Sequence, residues 1–473
     1  MESKMKEKYG LFTAIAMVVG IVIGSGVFFK AEKVLSATGG NQPLGILAWL
    51  IGGAIMIVCA YTFSTMATRY SYVNGIVDYA EVTMGNKYAY MVGWFMTMIY
   101  YPTLTSVLAW VSARYFCVLL GWSISGPQCM AVAAFFLCSS YAVNALSPVL
   151  AGKFQVTTTV IKLVPLFLMG IVGTIVGLSN GMTIQNFSTV VNPVASTGTA
   201  LFTAVVATAF AYEGWIIATS INSELKNSKK NLPIALTVGA AIIVVTYILY
   251  YIGLAGGVSS AVMMEGGESG AKIAFSSIFS NIGGTLLFVF IVISCLGTLN
   301  GLMLGCTRGM FALAVRGQGP KPELFKQVDK VTNMPTNSSI LGLFLCGAWL
   351  LYFYGSVICT IPIAEGLDGT APWWGVFAFD SSELPIVTIY AAYIPIFFAM
   401  MKKEKDLHPV KRFLMPSLAV CGCVFMVIAA CFAHKMGVVY YLIIFAVIML
   451  VGVFFIRKKE EPQPKAKKKN KKK

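Results

Sequence analysis

Two apolar segments of the sequence carry residues that disfavour a continuous helix in their middle. The first contains Gly20, Gly24 and Gly26 within seven residues, and glycine weakens a helix interior. The sixth contains Glu213 next to Gly214. A broken helix offers free N–H groups where its second half begins and free carbonyls where its first half ends. Two such breaks side by side can bind a ligand that carries a carboxylate and an ammonium on one carbon, as an α-amino acid does.

A lysine deep in the fifth apolar segment is the other residue that could take part in the chemistry of a site. Lys162 is ten residues from the predicted start of that segment, and an ammonium at such depth in a membrane needs polar partners. Ser294 and Thr298 of the eighth segment are four residues apart, so their hydroxyls share one helix face and can serve as partners. The competing explanations are snorkelling for Lys162 and close helix packing for the glycines.

The composition places these residues inside a membrane. Of 473 residues, 57% are hydrophobic and 11% are charged, against about 25% charged in soluble domains. This composition excludes a soluble globular protein. Half of the net charge of +16 comes from the tail after residue 456, which has ten Lys or Arg and two Glu. Such a run beside a membrane favours contact with anionic lipid headgroups over contact with nucleic acid.

Apolar runs bounded by polar or Gly/Pro-rich breaks predict an all-α integral membrane protein with twelve helices. In the first half they are Leu11–Leu35, Leu44–Thr68, Tyr88–Leu120, Gln128–Leu146, Gly152–Gly177 and Gly198–Asn222. In the second half they are Leu232–Leu254, Gly283–Ala314, Ser338–Tyr354, Leu384–Met401, Met415–Phe432 and Gly437–Phe455.

The distribution of basic residues predicts that both termini are cytoplasmic. With that orientation the cytoplasmic segments hold 29 of the 35 Lys and Arg residues. The outer segments hold Lys30, Lys33, Arg114, Lys272 and Lys435. This asymmetry follows the positive-inside rule. The polar N-terminus has no cleavable signal pattern, so the first apolar segment is expected to remain as a helix in the cell membrane.

The loops and cysteines add smaller predictions. Residues 71–87 and 316–337 are expected to hold short cytoplasmic helices, and Gly369–Asp380 is expected to form an aromatic belt at the outer membrane interface or an outer aromatic cap. The tail after Arg457 is expected to be disordered. The eleven cysteines lie almost entirely in apolar runs, and none has zinc-finger spacing to a histidine. Buried free thiols are therefore expected, with no metal and no cofactor.

Several motifs resemble the amino acid–polyamine–organocation superfamily, and within it the L-type amino acid transporter branch. The matching residues are Gly24-Ser25-Gly26, Phe210 to Trp215, Lys162, Glu224 to Asn227 followed by Asn231-Leu232-Pro233, and Gly301 to Arg308. The resemblance implies two inverted five-helix repeats, in which helices 1 and 6 are broken, with two helices appended. The domains are then a cytoplasmic N-terminus (1–10), a ten-helix transport core (11–401), helices 11 and 12 (402–456) and a basic tail (457–473).

The resemblance also implies a substrate site at the two breaks. The backbone of Ser25 and Gly26, beside Gly24, would hold the substrate carboxylate, and Phe210 would be an aromatic gate over the substrate. The residues beside the substrate ammonium would be Val22, Phe210 and Ala211, which present carbonyls, with Glu213 alongside. Tyr100 and Trp215 are expected to shape the pocket for the substrate side chain.

Lys162 matches a lysine that lies near the site where sodium-dependent relatives of this fold hold an ion. The resemblance therefore implies that a fixed ammonium substitutes for sodium, with Thr298 as its partner and Ser294 one helical turn away. Transport would then be independent of sodium.

Two of the departures from the L-type pattern bear on substrate selection and on partners. The position of Glu213 is commonly Gly or Asp in that branch, so a longer acid alters selectivity or makes Glu213 a candidate for proton coupling. Eukaryotic members join a heavy chain through a cysteine between helices 3 and 4. The corresponding loop, Gly121–Pro127, has no cysteine, and Cys129 just beyond it is expected to be buried. We therefore expect a chain without an obligatory heavy-chain subunit.

The implied function is secondary transport of neutral L-amino acids, by sodium-independent exchange or by proton-linked uptake. Glu213 keeps open an alternative in which the substrates are cationic amino acids or amines. Two other classes are weaker. A membrane-embedded enzyme needs a nucleophile with a base, or metal ligands, within the spans, whereas both histidines lie at helix ends. A non-transporting amino-acid sensor could retain the same binding site.

Overall fold

The computed structural model describes residues 10–70, 75–124, 126–218, 225–332, 334–356, 375 and 377–457, and its regular elements there are helices. The first nine are α1 (Leu11–Val22), α2 (Gly26–Ala37), α3 (Gln42–Ala67), α4 (Ile76–Met84), α5 (Asn86–Leu120), α6 (Pro127–Leu146), α7 (Val149–Ser179), α8 (Met182–Ser188) and α9 (Thr197–Ala211). The others are α10 (Trp215–Ala218), α11 (Ser228–Gly257), α12 (Ser260–Gly266), α13 (Glu268–Val315), α14 (Pro322–Phe325), α15 (Thr336–Ser356), α16 (Leu384–Lys403), α17 (Met415–His434) and α18 (Met436–Val453).

The predicted twelve-span architecture is confirmed. Within the described ranges, ten helices are long and apolar enough to cross a membrane. The apolar stretches Leu11–Gly20 and Thr197–Ala211 are shorter, because α1 and α9 each stop at a break and continue as α2 and α10. These interrupted spans are the first and the sixth, five spans apart, as a five-plus-five repeat requires.

Several boundaries differ from the sequence prediction. The range of α13 holds two helices, because Phe279 and Ser280 have non-helical backbone angles, with a φ of 63° at Ser280. The part after this kink begins close to the predicted Gly283, and the helix from Glu268 to the kink was not predicted. The short helices α8 and α12 were not predicted, whereas α4 and α14 fall within the polar stretches expected to hold short helices. Most of the predicted aromatic cap at Gly369–Asp380 and the tail after Arg457 lie outside the described residues.

The third span, α5, lies at the centre of the bundle. In its most apolar 18-residue stretch 78% of residues are buried, against 11% in α18 at the periphery. Large apolar side chains are exposed on the outer spans, including Phe344 and Leu450, as expected where a helix contacts lipid rather than water. A π-helical turn at Met96–Tyr100 interrupts α5, and Tyr100 is the last residue of that turn.

An aromatic cluster fixes the end of α9 against its neighbours. The ring of Trp49 on α3 lies 5.6 Å from the rings of both Tyr212 and Tyr247. The Tyr212 hydroxyl also donates to the Trp49 carbonyl at 2.9 Å. The close approach requires glycine on α3, because a Cβ at Gly52 would lie 2.1 Å from the Thr208 hydroxyl. The break after α9 is therefore held by side-chain packing rather than left loose.

Candidate functional site

The break between α1 and α2 is fastened to α13 by a threonine hydroxyl. The backbone amide of Ser25 donates to Thr298 Oγ1 at 3.1 Å, and Thr298 in turn donates to the carbonyl of Ser294 at 3.1 Å. A Cβ at Gly24 would lie 2.9 Å from the same Thr298 oxygen, so glycine is needed for this approach. The Ser25 hydroxyl is fully buried and has no hydrogen-bond partner among the described residues.

The two breaks meet directly. A Cβ at Gly26, the first residue of α2, would lie 2.6 Å from the Cα of Ala211, the last residue of α9. Gly214, in the break of the sixth span, has a φ of 102°, which glycine adopts without strain. The predicted juxtaposition of the two interrupted helices is therefore present, with the N-terminus of α2 against the C-terminus of α9.

Tyr247 on α11 contacts the C-terminal ends of both α1 and α9, the first halves of the two broken spans. The sequence did not reveal this residue. Its hydroxyl donates to the Ala211 carbonyl at 3.0 Å and lies 3.3 Å from the Val22 carbonyl. These are two of the carbonyls expected beside a substrate ammonium. A tyrosine within an apolar run carries no sequence signal that distinguishes it from a core residue, so only the fold reveals its position.

Glu213 lies between α9 and α10 and is held by α5. The Tyr100 hydroxyl donates to Glu213 Oε1 at 2.6 Å, so these two predicted site residues are brought together. Trp215 is buried, and its ring lies 5.7 Å from the ring of Phe63 and 5.8 Å from that of Tyr393. These contacts place Trp215 against α3 and α16.

Phe210 lies beneath a buried lysine. Its ring lies 6.0 Å from that of Phe29, and Lys30 Nζ is 5.3 Å from the centre of the Phe210 ring. A cation over an aromatic face is attracted to it. The side chain of Phe210, the predicted gate, is therefore held against α2 by its contacts with Phe29 and Lys30.

Lys162 of α7 contacts α1, but its partner differs from the predicted one. Its ammonium donates to the Gly20 carbonyl at 2.7 Å, near the end of α1, where the helix dipole favours a cation. Thr298 is instead engaged by Ser25 and Ser294. The expected Lys162–Thr298 hydrogen bond is thus absent from the described residues, because the Thr298 hydroxyl is used to fasten the break.

A cluster of charged side chains at the end of α2 was also missed, since the sequence shows its members only as loop or helix-end charges. Lys30 and Lys33 Nζ lie 2.6 Å and 2.7 Å from Glu383 Oε1, and Lys33 lies 2.6 Å from Asp380. His434 Nε2 lies 3.0 Å from the other Glu383 oxygen. The available sequence signal was the loop between the ninth and tenth spans, which carries acidic residues and no Lys or Arg.

These ion pairs dominate the charge state of the two acids, which precede α16. Burial alone raises the pKa of Asp380, but the Lys33 ammonium outweighs it and holds that pKa at about 2. Burial likewise opposes ionisation of Glu383, yet Lys30 and Lys33 hold its pKa well below the usual range. Within the described ranges, no three His, Cys, Asp or Glu side chains form a group that could hold a metal ion.

The arrangement of two facing breaks is suited to binding a small molecule inside a membrane, and the comparisons with known proteins say which kind. The family model for amino acid permeases matches residues 9–455. The chain belongs to the amino acid permease family. The permease is therefore an amino acid transporter rather than an enzyme, as the sequence predicts.

Its relatives extend over most of its length. The serine/threonine exchanger SteT of Bacillus subtilis is 29% identical, covering 90% of the permease and 91% of that protein. The b(0,+)-type amino acid transporter 1 of Homo sapiens is 25% identical, covering 90% and 83%. The human large neutral amino acids transporter small subunit 2 is 23% identical, covering 76% and 66%. The crystal structure of MhsT in complex with L-phenylalanine has the same fold, with a TM-score of 0.57 at 14% identity, covering 91% of the permease and all of that chain.

Proposed function

We propose that the permease exchanges neutral L-amino acids across the cell membrane by alternating access, without sodium. The observation that carries the proposal is the contact of the two breaks at Gly26 and Ala211. It places backbone N–H groups at the start of α2 beside the carbonyls at the end of α9. A carboxylate is stabilised at the first and an ammonium at the second.

The polar atoms at the breaks support this arrangement. The buried Ser25 hydroxyl lacks a partner within the described part of the chain, so it is available to the substrate carboxylate. The Tyr247 hydroxyl occupies the carbonyls of Val22 and Ala211, where it does what a substrate ammonium would do. Substrate binding then exchanges one donor for another at these carbonyls rather than burying them unpaired.

Lys162 supports sodium independence. Lys162 is 4% exposed and its ammonium donates to the Gly20 carbonyl, so a positive charge is already present beside the end of α1. A second cation at the same place would be repelled. The resemblance that relates Lys162 to the ion site of sodium-dependent relatives leads to the same conclusion.

Neutral substrates are favoured by the relatives. Two of them are named for serine and threonine or for large neutral amino acids. The Glu213 carboxylate is the observation that favours the alternative, a transporter of cationic amino acids or amines. Tyr100 already donates to that carboxylate, which reduces its need for a cationic partner.

The permease is proposed to work as a single chain with both termini in the cytoplasm. The positive-inside asymmetry supports this orientation. Cys129, the cysteine nearest the loop between the third and fourth spans, is fully buried, as predicted, and is therefore not placed to join a heavy chain. One relative is by name a small subunit. Whether the permease needs a heavy chain is tested by measuring transport by the purified chain alone.

Proton-linked uptake is the second candidate, because Glu213 is a carboxylate inside the bundle whose Tyr100 partner lies on a different span. A carboxylate that changes partners as helices move can carry a proton. Replacing Glu213 with Gln separates the two mechanisms. Loss of pH-driven uptake with exchange preserved indicates proton coupling, and an unchanged pH profile indicates exchange alone.

The test of the proposal uses the purified chain in liposomes. Vesicles are loaded with a mixture of the twenty amino acids or left empty, and uptake of single labelled amino acids is followed. We expect uptake of neutral amino acids that depends on internal amino acid and is unaffected by sodium. Equal uptake into loaded and empty vesicles would contradict exchange, and preference for lysine or arginine would support the cationic alternative.

A further inference from the structure

The last span, α18, is loosely packed along its length but firmly held at its C-terminal end. Only 11% of its most apolar stretch is buried, yet two side chains of α5 bond to its final turns. The Tyr90 hydroxyl donates to the Gly452 carbonyl at 3.0 Å, and the Trp94 indole N–H donates to the Ile448 carbonyl at 2.9 Å. The Trp94 ring also lies 6.0 Å from that of Phe455. The chain therefore leaves the helix bundle after α18 at a fixed position.

A glutamine in the loop between α13 and α15 holds the residue at which the basic run, residues 457–473, begins. The Gln318 side-chain amide donates to the Arg457 carbonyl at 2.8 Å, and its oxygen accepts from the Arg457 N–H at 3.0 Å. Gln318 is buried, so this pair of hydrogen bonds is shielded from water. The basic run has ten Lys or Arg and two Glu. Gln318 thus fixes the place where this positive charge joins the surface of the loop.

The same loop exposes lysines and apolar side chains next to one another. Lys321 and Lys330 are exposed and form no ion pair within the described ranges. Between and beside them, Leu324 and Val328 are 41% and 42% exposed, and Val331 is 92% exposed. A single exposed apolar residue is ordinary on a protein surface, but here three of them share one loop at the end of a membrane span.

Both acids of this loop are engaged within it. Glu323 pairs with Lys326, and Asp329 accepts hydrogen bonds from the backbone N–H groups of Val331 and Thr332. The two unpaired lysines therefore add to the charge of the basic run. Lysines beside exposed apolar side chains fit a lipid surface, because the ammonium groups contact anionic headgroups while the apolar groups enter the interface. A nucleic acid would use the lysines but not the apolar side chains.

We propose that the loop between α13 and α15 and the basic run together bind the headgroups of anionic lipids. Gln318 makes them one surface, because it joins the loop to Arg457. That contact places both segments on the same side of the membrane, so the inference depends neither on which side is cytoplasmic nor on the proposed function. Each lysine near an anionic surface strengthens binding about fivefold, and added salt weakens this attraction.

The test measures stabilisation of the purified permease by lipid in detergent micelles. Phosphatidylglycerol or, as the neutral comparison, phosphatidylcholine is titrated in, and the thermal unfolding temperature is followed, since a ligand of the folded state raises it. At low salt we expect a larger rise with phosphatidylglycerol, and about 0.5 M sodium chloride is expected to remove most of the difference. Equal shifts with the two lipids, or a difference that survives salt, overturn the inference. A larger rise with an RNA oligonucleotide than with phosphatidylglycerol overturns the choice of partner.

Variants assign the binding to this surface. Lys321→Gln combined with Lys330→Gln is expected to weaken the apparent affinity for phosphatidylglycerol by about tenfold or more. Gln318→Leu leaves every charge in place but separates the two segments, and it is expected to weaken that affinity by about threefold or more.

The matched control is Lys229→Gln combined with Lys230→Gln, which removes the same charge from exposed positions at the start of α11 and is expected to leave the affinity unchanged. Equal losses in the control and in the Lys321 and Lys330 variant, or no loss in the latter, overturn the assignment to the loop. An unchanged affinity in Gln318→Leu overturns the joining of the two segments. If a variant does not fold, the comparison of the two lipids on the wild type remains decisive.

Discussion

At the residue scale, one hydroxyl fastens the unwound part of the first span. Thr298 accepts a hydrogen bond from the Ser25 amide and donates one to Ser294. Both partners are backbone groups inside a bundle where water does not replace a lost hydrogen bond. The geometry of the proposed carboxylate site therefore depends on Thr298, although Thr298 is predicted to touch no substrate atom.

Replacing Thr298 with Val isolates this effect, because the two side chains have the same shape. We expect exchange to fall by about tenfold, since the buried Ser25 amide loses its acceptor. Thr298→Ser keeps the hydroxyl and is expected to retain most of the exchange. Exchange rates of both variants at matched protein amounts provide the measurement, and equal rates in the two variants would show that the hydroxyl has no such role.

At the element scale, the sequence predicted the spans and the breaks correctly where a pattern of residues has one physical explanation. Glycine clusters and a mid-span acid located both breaks, and long apolar runs located the spans. The acids of the ionic cluster were visible in the sequence, but the pairing of Glu383 with Lys30 was not predictable, because nothing in a sequence says which helix end meets which. The partners of Lys162 and the role of Tyr247 were missed for the same reason. They depend on the side-by-side packing of helices that are far apart in the chain.

The contact between the two broken spans yields a prediction at this scale. Gly26→Ala puts a Cβ within 2.6 Å of the Ala211 backbone, so α2 and α9 must separate. A displacement of this kind at a binding site costs about tenfold to a hundredfold in rate. Gly347→Ala on α15 is the control, because a Cβ there meets nothing within 4 Å. We expect exchange to be lost in the first variant and kept in the second, and full exchange in Gly26→Ala would mean that the breaks do not need this contact.

The ion pairs that join α2 to the start of α16 predict a response to acid. The folded pKa of Asp380, about 2, lies below its ordinary value of 3.8. The paired carboxylate therefore contributes stability that is present above about pH 4 and is lost as the pH falls towards 2. The contribution is on the order of 2 kcal/mol of unfolding free energy.

Asp380→Asn tests this prediction, since Asn keeps the oxygen that accepts from the Glu383 amide and removes only the charge. We expect lower thermal stability of the purified variant at pH 7 and a smaller further loss between pH 4 and pH 2 than in the wild type. Glu265→Gln, at an exposed position, serves as the control. Identical acid profiles for wild type and Asp380→Asn would argue against the pairing.

At the scale of the whole molecule, charged contacts fasten α16 at both ends. Lys30 and Glu383 join its start to α2, and Arg69 and Glu404 join the residues that follow α3 and α16, 2.7 Å apart. The proposed amino acid lies between these ends, at the breaks of the first and sixth spans. The proposed site thus lies between two sets of ion pairs, one at each end of α16.

The proposed sodium independence is a property of the whole transporter and rests on Lys162. We expect exchange to be unchanged when sodium is replaced by potassium or choline. Lys162→Met is expected to lose exchange in all three salts, because the carbonyl of Gly20 loses its cationic partner. A saturable dependence of wild-type exchange on sodium would show that Lys162 does not substitute for an ion.

The most direct measurement is a structure of the permease in a lipid nanodisc with a transported amino acid bound. We predict that its carboxylate lies within hydrogen-bond distance of the Gly26 amide or the Ser25 hydroxyl. Its ammonium is predicted to contact the carbonyls of Val22 and Ala211, displacing the Tyr247 hydroxyl. An amino acid bound elsewhere in the bundle, with Gly26 and Ala211 still in contact and Tyr247 undisturbed, would contradict the account.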